Sequence, residues 1–202
     1  MSATAHTGRR FTLHELSPEP WRNGAGVTRT LASDSVSPTA PWRWRVSVAS
    51  IAGDTAFSTF AGVDRSSMLI DGGQLQLLDD AGQTQVRLGL FDIGHYPGET
   101  ALHAQVQGAP LQCLNLMLRR QQANARLSAV RQTCAIAHEG VLLMLALRGG
   151  FEVTAAQQAP LQLQPGQGLH TRARPGLVLQ PLAPESVLAL VEVLPIESKI
   201  KL

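Results

Sequence analysis

Two arginines and a serine in the first third of the chain are the side chains best placed for chemistry. Arg45 and Ser47 occupy alternate positions in residues 42–51, and Arg65 follows one loop later. A guanidinium is planar and permanently charged, and it can donate two parallel hydrogen bonds to one carboxylate. A serine hydroxyl adds a neutral hydrogen bond. These residue types in this pattern therefore predict a site for a small anion.

Residues 42–51 have the period-two alternation of a half-buried β-strand. One set is apolar and the other is polar or small: Trp44, Val46 and Val48 against Arg43, Arg45, Ser47 and Ala49. A second strand is predicted over residues 67–78, with a turn or bulge at its Gly-Gly pair. The two strands could line one cavity, which Arg45 and Arg65 would share.

An Asn-Gly turn at residues 21–29 is the next candidate element. Asn23 and Gly24 are typical of a hairpin turn, and Thr28 and Arg29 follow on a polar strand. On these residues alone a plain turn is the simpler interpretation, because the glycine spacing falls short of a dinucleotide-binding loop. Trp21, beside the turn, either anchors the core or caps a pocket.

Composition limits the class of protein. The chain has 202 residues, 44% of them hydrophobic, which is ordinary for a globular protein. No apolar run approaches the roughly 18 residues that span a bilayer, and the N-terminus lacks the apolar segment of a signal peptide. The net charge is +2 with scattered arginines. We expect a cytoplasmic protein with neither membrane nor nucleic acid as partner.

Cysteines and histidines give no sign of a metal or nucleophilic site. Cys113 and Cys134 lack metal-ligand spacing, so we assign them no catalytic role. The six histidines are dispersed: His6, His14, His95, His103, His138 and His170. A metal site would require the fold to bring His95 and His103 together. No cofactor-binding loop is visible, and we predict no cofactor.

Short strands separated by Gly and Pro turns predict an all-β protein. Other elements are expected as follows: an edge strand at 11–16, a loop at 52–64 anchored by Phe57 and Phe60, a turn at 95–100, and strands at 86–93, 101–106, 111–118, 140–155, 161–164, 168–171, 177–182 and 187–194. Residues 121–132 are polar and suggest a short helix or a linker. We therefore predict two domains: residues 1–120, carrying the ligand pocket, and residues 121–202, mainly structural.

Internal similarity supports two related barrels. Residues 147–153 and 163–169 loosely repeat the glycine and leucine pattern of residues 69–77. In the second half, three polar side chains alternate on one predicted strand: His170, Arg172 and Arg174. Such a row is more often a solvated edge than a site. We expect the second barrel to support the first.

Four separated segments occur together in one order: residues 21–29, 44–49, 57–65 and 114–120. In these the chain resembles the HutD/Ves family, a group of bicupins linked to bacterial histidine utilisation. It departs from the family pattern at two positions. Thr30 stands where the family favours an acidic residue, and Cys113 stands where it favours aspartate. The identity of the ligand could therefore differ.

The resemblance implies a bicupin, two antiparallel β-barrels of the RmlC-like jelly-roll type in one chain. It implies a cytoplasmic protein that binds a small acidic compound of histidine breakdown, such as formylglutamate or urocanate. Its role would be that of a sensor or modulator of the pathway. A homodimer is also expected, because exposed strand edges in bicupins are often covered by a partner.

The metal-binding motif of cupins is altered in this sequence. In that motif two histidines on a strand and then a glutamate, followed after six residues by glycine, hold a metal. Six residues separate Arg65 from Gly72, which puts Arg65 in the glutamate position, and no His-x-His precedes it. A cation there opposes a metal and favours an anion. We therefore predict no metal in the first barrel.

The resulting candidate site contains no catalytic residue and eight ligand-binding residues: Trp21, Asn23, Thr28, Arg29, Arg45, Ser47, Arg65 and Asn115. Three alternatives stay open. Arg45 and Arg65 could form structural ion pairs with acidic residues, namely Asp64, Asp71 or Glu99. The protein could be a metal-independent enzyme acting on a small carboxylate or amide, with Asp64 or Glu99 as general base. It could also be a structural partner in an oligomer.

Overall fold

The computed structural model describes residues 8–35, 40–108 and 110–194, which form nineteen β-strands and one short 3-10 helix, Leu13–Glu15. In chain order the strands are β1 (Gly8–Thr12), β2 (Glu19–Pro20), β3 (Gly26–Ser33), β4 (Trp44–Ile51), β5 (Thr55–Ala56), β6 (Val63–Asp71), β7 (Gln74–Leu78), β8 (Thr84–Leu88), β9 (Ile93–Pro97), β10 (His103–Gln107), β11 (Leu111–Arg119), β12 (Asn124–Val130), β13 (Cys134–Ile136), β14 (Gly140–Arg148), β15 (Phe151–Thr154), β16 (Leu161–Leu163), β17 (Gln167–Ala173), β18 (Leu177–Pro181) and β19 (Val187–Leu194). The predicted all-β class is confirmed. None of the described helices is long and apolar enough to cross a membrane.

The chain divides into two compact units. The first is Leu16–Gln122, and the second joins the described residues before Leu16 to those after Gln122. The predicted division assigned everything up to residue 120 to the first barrel, and the structure differs from it in the N-terminal segment. There, β1 pairs antiparallel with β17 of the second unit. Gly168 makes this pairing possible, because a Cβ at that position would lie 2.1 Å from Phe11 Cζ.

Two antiparallel sheets form the first unit. The larger has the strand order β2-β3-β4-β11-β6-β9 and the smaller has the order β5-β10-β7-β8. The alternation predicted for residues 42–51 is present in β4, where Val46 and Val48 are buried on one side. The opposite side carries Arg45 and Ser47. A core cluster of residues from both sheets, including Leu69 and Leu77, fills part of the space between them.

The second unit has the same two-sheet arrangement. Its sheets have the orders β1-β17-β14-β19-β12 and β13-β18-β15-β16. Its core cluster includes Phe151 and Leu179, both fully buried. The row predicted as a solvated edge lies partly on β17, which carries His170 and Arg172 and has β1 and β14 on its two sides, so it is not an edge strand. Arg174 follows the end of β17, and both arginines are exposed.

Three local predictions were wrong. Residues 124–130 are neither helix nor linker but strand β12, paired along its whole length with β19. Residues 95–97 are not a turn but the end of strand β9, paired with β6. The predicted strand at 11–16 ends at Thr12 and continues as the 3-10 helix. In the first two cases pairing with a strand distant in sequence decided the conformation, and local composition does not report such pairing.

Candidate ligand-binding site

The first unit contains a cavity of about 460 Å³. This volume is in the range of small-molecule sites, roughly 300 to 1,000 Å³. Its lining residues come from six strands and two loops of that unit: Pro20, Trp21, Arg22, Asn23, Thr28, Arg45, Ser47, Ala49, Ala56, Phe57, Ser58, Phe60, Arg65, Asn115 and Met117. Of the described residues that line it, three are arginines and none is acidic.

Strand register explains why the polar side chains meet. On the cavity side of β4, β11 and β6, cross-strand partners form three rows: Arg45–Met117–Arg65, Ser47–Asn115–Ser67 and Ala49–Cys113–Leu69. The first row carries the charges and the second carries neutral polar groups. The third row belongs to the buried apolar core. The space between the sheets is therefore packed at one end and forms a polar cavity at the other.

Arg65 lies in an aromatic enclosure. The centre of its guanidinium is 5.0 Å from the ring centroid of Tyr96, 5.1 Å from that of Phe57 and 5.8 Å from that of Phe60. Its Nη1 donates a hydrogen bond to the Ser58 carbonyl oxygen at 3.2 Å. Its buried Nε has no hydrogen-bond partner among the described residues. A planar cation held between rings keeps its in-plane donors available to a ligand.

Arg45 is held by the neighbouring strands. Its Nη2 donates to Thr30 Oγ1 at 2.7 Å and lies 3.7 Å from Glu19 Oε2. The Glu19 side chain is 65% exposed, so this ion pair is a weak one. Thr30, which stands where the family pattern favours an acid, therefore contacts Arg45 without neutralising it. The positive charge of the cavity is kept.

The Asn-Gly segment forms one wall of the cavity. Gly24 has a φ of 71°, which a glycine adopts without strain. The Trp21 indole Nε1 donates to Thr28 Oγ1 at 2.8 Å, and Asn23 Nδ2 donates to Thr55 Oγ1 at 3.0 Å. These bonds tie the turn to strands β3 and β5. Trp21 thus combines the two roles considered for it, as an anchor and as part of the pocket.

A buried chain of hydrogen bonds leads to Asn115. Ser67 Oγ donates to Asn115 Oδ1 at 2.6 Å and lies 2.8 Å from Tyr96 Oη. Asn115 Nδ2 donates to the Cys113 carbonyl oxygen at 3.2 Å. Burial raises the pKa of Tyr96, which keeps its phenol protonated, while the nearby Arg65 opposes that shift. This series of hydrogen bonds fixes the orientation of the Asn115 amide at the edge of the cavity.

Seven of the eight residues selected from the sequence line the cavity: Trp21, Asn23, Thr28, Arg45, Ser47, Arg65 and Asn115. Arg29 does not. Its Nε donates to the Leu16 carbonyl oxygen at 3.1 Å. Neighbouring residues on a strand point to opposite faces, so Thr28 and Arg29 cannot both face the cavity.

Sequence reasoning missed several residues of the site. Arg22 lines the cavity directly, and Tyr96, Phe57 and Phe60 surround Arg65. The two phenylalanines were assigned only to loop anchoring. Tyr96 was assigned to a turn, whereas it is the cross-strand partner of Arg65. Ser67 could have been identified from the sequence, because it lies two residues after Arg65 along β6 and therefore on the same face of that strand.

The acidic residues proposed as partners of Arg45 and Arg65 are engaged elsewhere. Arg120 Nε donates to Asp64 Oδ1 at 2.7 Å, and its two terminal nitrogens donate to Glu99 at 2.6 and 2.8 Å. Asp71 accepts from the Gly72 N–H. Neither Asp64 nor Glu99 lines the cavity. The carboxylates considered as general bases are therefore outside the site.

Glu99 gives a pH-dependent prediction. Hydrogen bonds from Arg120 lower its pKa from 4.5 to about 2. Because the folded value lies below the ordinary one, the ionised group stabilises the fold above pH 4.5, and this contribution is lost as the pH falls towards 2. In Arg120→Gln the Glu99 carboxyl should titrate near its ordinary value, as followed by carbon NMR. An unchanged midpoint would contradict the ion pair, and Arg87→Gln, at an exposed position, is the matched control.

The histidines considered for a metal lie on different sheets. His95 is on β9, where its Nδ1 is 2.8 Å from Ser66 Oγ, and His103 is on β10, where its Nε2 is 3.4 Å from Asp80 Oδ1. In the described part of the chain no three His, Cys, Asp or Glu side chains cluster closely enough to hold a metal ion.

Paired antiparallel sheets, two such units in one chain and a cavity between the sheets of the first define the class of protein. The chain has the bicupin fold, and the solved structures that share its arrangement have the cupin fold. The HutD family model matches residues 13–189, and the chain belongs to that family.

Known relatives agree with this assignment. An uncharacterised 21.2 kDa protein of the hutC 3' region of Pseudomonas putida is 32% identical over 138 residues, which cover 68% of this chain and 72% of that protein. Protein Ves of Citrobacter koseri is 32% identical over 124 residues, covering 61% and 64%. The structure of HutD from Pseudomonas fluorescens SBW25 superposes with a TM-score of 0.77 at 21% identity, covering 93% of this chain and 98% of that one. The family is thus associated with the histidine-utilisation region of bacterial genomes.

Proposed function

We propose that this protein binds a small acidic metabolite of histidine breakdown, of the formylglutamate or urocanate class, and acts as a sensor or modulator of histidine utilisation. The position of Arg65 carries the proposal. Its guanidinium faces a cavity without acidic lining residues among those described, and its Nε is buried with no described hydrogen-bond partner. A buried donor without a partner is costly, and a carboxylate oxygen would satisfy it.

The spacing of the charges favours a ligand with more than one polar end. Arg45 and Arg65 are in register with the same residue of β11, Met117, one strand to either side. Two strand spacings separate their Cα atoms by about 10 Å. Both guanidiniums and the Arg22 side chain then surround one space of about 460 Å³. A ligand with a carboxylate and a second acceptor group fits this arrangement.

Removal of the Arg65 charge should weaken binding. A hydrogen bond to a charged group contributes about 1.5 to 3 kcal/mol, so Arg65→Ala is expected to raise the dissociation constant roughly tenfold or more. Calorimetric titration of both proteins with formylglutamate, urocanate and glutamate gives the measurement. The fold should be retained, because Arg65 is only half-buried and its ring neighbours belong to separate elements.

Arg87→Ala is the matched control for charge. Arg87 is an exposed residue of the same unit on β8, and its Nη2 donates to Gln76 Oε1 at 3.3 Å. This variant removes one positive charge without altering the lining of the cavity, so its affinity should equal that of the wild type. No binding to the wild type, or equal affinity in wild type and Arg65→Ala, would refute the proposed site.

A sensor or modulator differs from an enzyme in turnover. The residues considered as general bases, Asp64 and Glu99, bind Arg120 outside the cavity, so the geometry supports binding. Incubation with each ligand, followed by product analysis, should return the ligand unchanged. The homodimer expected from the sequence stays a prediction, which light scattering would test.

A further inference from the structure

The polar atoms around the cavity have an unequal balance of donors and acceptors. Three acceptors at its lining residues already receive a hydrogen bond. Asn23 Oδ1 accepts from the Ala25 N–H at 3.1 Å, Thr28 Oγ1 accepts from Trp21 Nε1 at 2.8 Å, and the Ser58 carbonyl accepts from Arg65. The Ser47 hydroxyl can still both donate and accept a hydrogen bond. The groups that remain available to a ligand are therefore mainly N–H and O–H donors.

Asn115 is the residue whose contribution depends on orientation. A side-chain amide can present either its oxygen or its nitrogen, and a half-turn about its last bond exchanges them. Here the Ser67 hydroxyl donates to Oδ1 at 2.6 Å. A serine has one hydroxyl hydrogen, so the contact at 2.8 Å between Ser67 Oγ and Tyr96 Oη must be donated by the tyrosine. The hydrogen bonds therefore run from the Tyr96 hydroxyl to Ser67 and from Ser67 to Asn115.

The other side of the amide is fixed as well. Nδ2 donates one of its two hydrogens to the Cys113 carbonyl at 3.2 Å, and among the described residues its second hydrogen has no acceptor. A flipped amide would place Nδ2 against the Ser67 hydroxyl and Oδ1 against the Cys113 carbonyl oxygen. The second of these contacts is repulsive. Asn115 thus offers the cavity an N–H and withholds its oxygen.

We propose that Ser67 and Tyr96 are positioning residues that hold Asn115 as a hydrogen-bond donor and thereby select ligands with an acceptor oxygen, and no ammonium group, at that point. The inference rests on the proposed function. It assigns the ligand class more narrowly: small carboxylates whose amino group is absent or acylated, in preference to free amino acids. Neither Ser67 nor Tyr96 lines the cavity, so both act through Asn115.

Two probes of equal size test this selection. 2-Oxoglutarate and glutamate differ at one carbon, which carries a carbonyl oxygen in the first and an ammonium group in the second. Wild type should prefer 2-oxoglutarate. In Ser67→Ala the amide loses the hydroxyl that donates to Oδ1, and only the Cys113 carbonyl still opposes the turned orientation. The ratio of the two dissociation constants should fall about fivefold or more, the effect of one hydrogen bond to a buried group. The arginines are the same in both proteins, so their repulsion of ammonium cancels in the comparison.

Two further variants complete the test. Ser67→Ala leaves the buried Tyr96 hydroxyl without its partner. The double variant Ser67→Ala/Tyr96→Phe removes both hydroxyls, so it should be more stable than Ser67→Ala. It should show the same reduced ratio of dissociation constants as Ser67→Ala. Ser67→Thr keeps the hydroxyl and should retain the wild-type ratio. These variants separate positioning of the amide from a general loss of packing.

Each outcome has a defined meaning. A ratio that falls in the alanine variants and is retained with threonine supports the inference. An unchanged ratio in the double variant overturns it and leaves the proposed function intact. Wild type that binds glutamate as tightly as 2-oxoglutarate also overturns it. Wild type that binds no carboxylate removes both the inference and the proposed function.

Discussion

Replacement of Arg126 by methionine is expected to lower the free energy of unfolding by about 3 kcal/mol, because it leaves a buried carboxylate without its partner. Glu192 on β19 is 2% exposed. Arg126 on β12 donates to it through Nε and through Nη2, the latter at 2.9 Å. His138 is also near, with its Nε2 3.4 Å from Glu192 Oε1. We place the loss at the low end of the range for buried pairs, since the Arg126 side chain is 65% exposed.

Chemical denaturation followed by circular dichroism measures this loss. Arg43→Met is the control, because the Arg43 side chain is 62% exposed and its partner Asp34 keeps the backbone N–H donors of residues 43 and 44. Its removal should cost at most about 1 kcal/mol. The double variant Arg126→Met/Glu192→Leu should recover most of the stability, since no charge is then left buried. A loss below 1 kcal/mol for Arg126→Met would show that Glu192 does not depend on this partner.

Phe151→Ala is expected to destabilise the second unit by about 3 to 5 kcal/mol. The ring is fully buried at the centre of that unit's core cluster, so its removal loses apolar burial and leaves a cavity. Circular dichroism should again follow the transition, because all three tryptophans lie in the first unit and report little on the second.

Leu182→Ala provides the comparison at the surface. Leu182 is 44% exposed in the same unit, so its truncation should change the free energy of unfolding by no more than about 0.5 kcal/mol. If the two variants were equally stable, the packing described around Phe151 would be wrong.

Local patterns in the sequence predicted a large part of the fold and of the site. The alternation of residues 42–51 became β4 with Val46 and Val48 buried, since a period of two places every second side chain on one face. The same reasoning brought Arg45, Ser47 and Arg65 to one cavity. The Asn-Gly signal became a turn with Gly24 at positive φ. Each of these features depends on residues that are close in the chain.

Errors arose where two segments far apart in the chain decide the outcome. Residues 121–132 are rich in polar side chains, yet residues 124–130 form a strand because β19 offers an open edge and Arg126 neutralises Glu192. The first strand belongs to the second unit because Gly168 leaves room for Phe11. Arg29 is a different case, since the alternation of β3 alone excludes it from the face that carries Thr28.

By itself, the sequence determined the all-β class and the family, and it predicted seven of the fifteen residues that line the cavity, Arg45 and Arg65 among them. Short strands between turns, four motifs in one order and period-two alternation are all visible in the sequence. Only the tertiary structure decided which acids neutralise which arginines. Arg120 takes Asp64 and Glu99 and leaves Arg65 among three rings, a distribution that depends on strand register. It also decided the direction of the hydrogen bonds from Tyr96 through Ser67 to Asn115. Register joins residues 29 and 48 positions apart, and no short-range pattern specifies it.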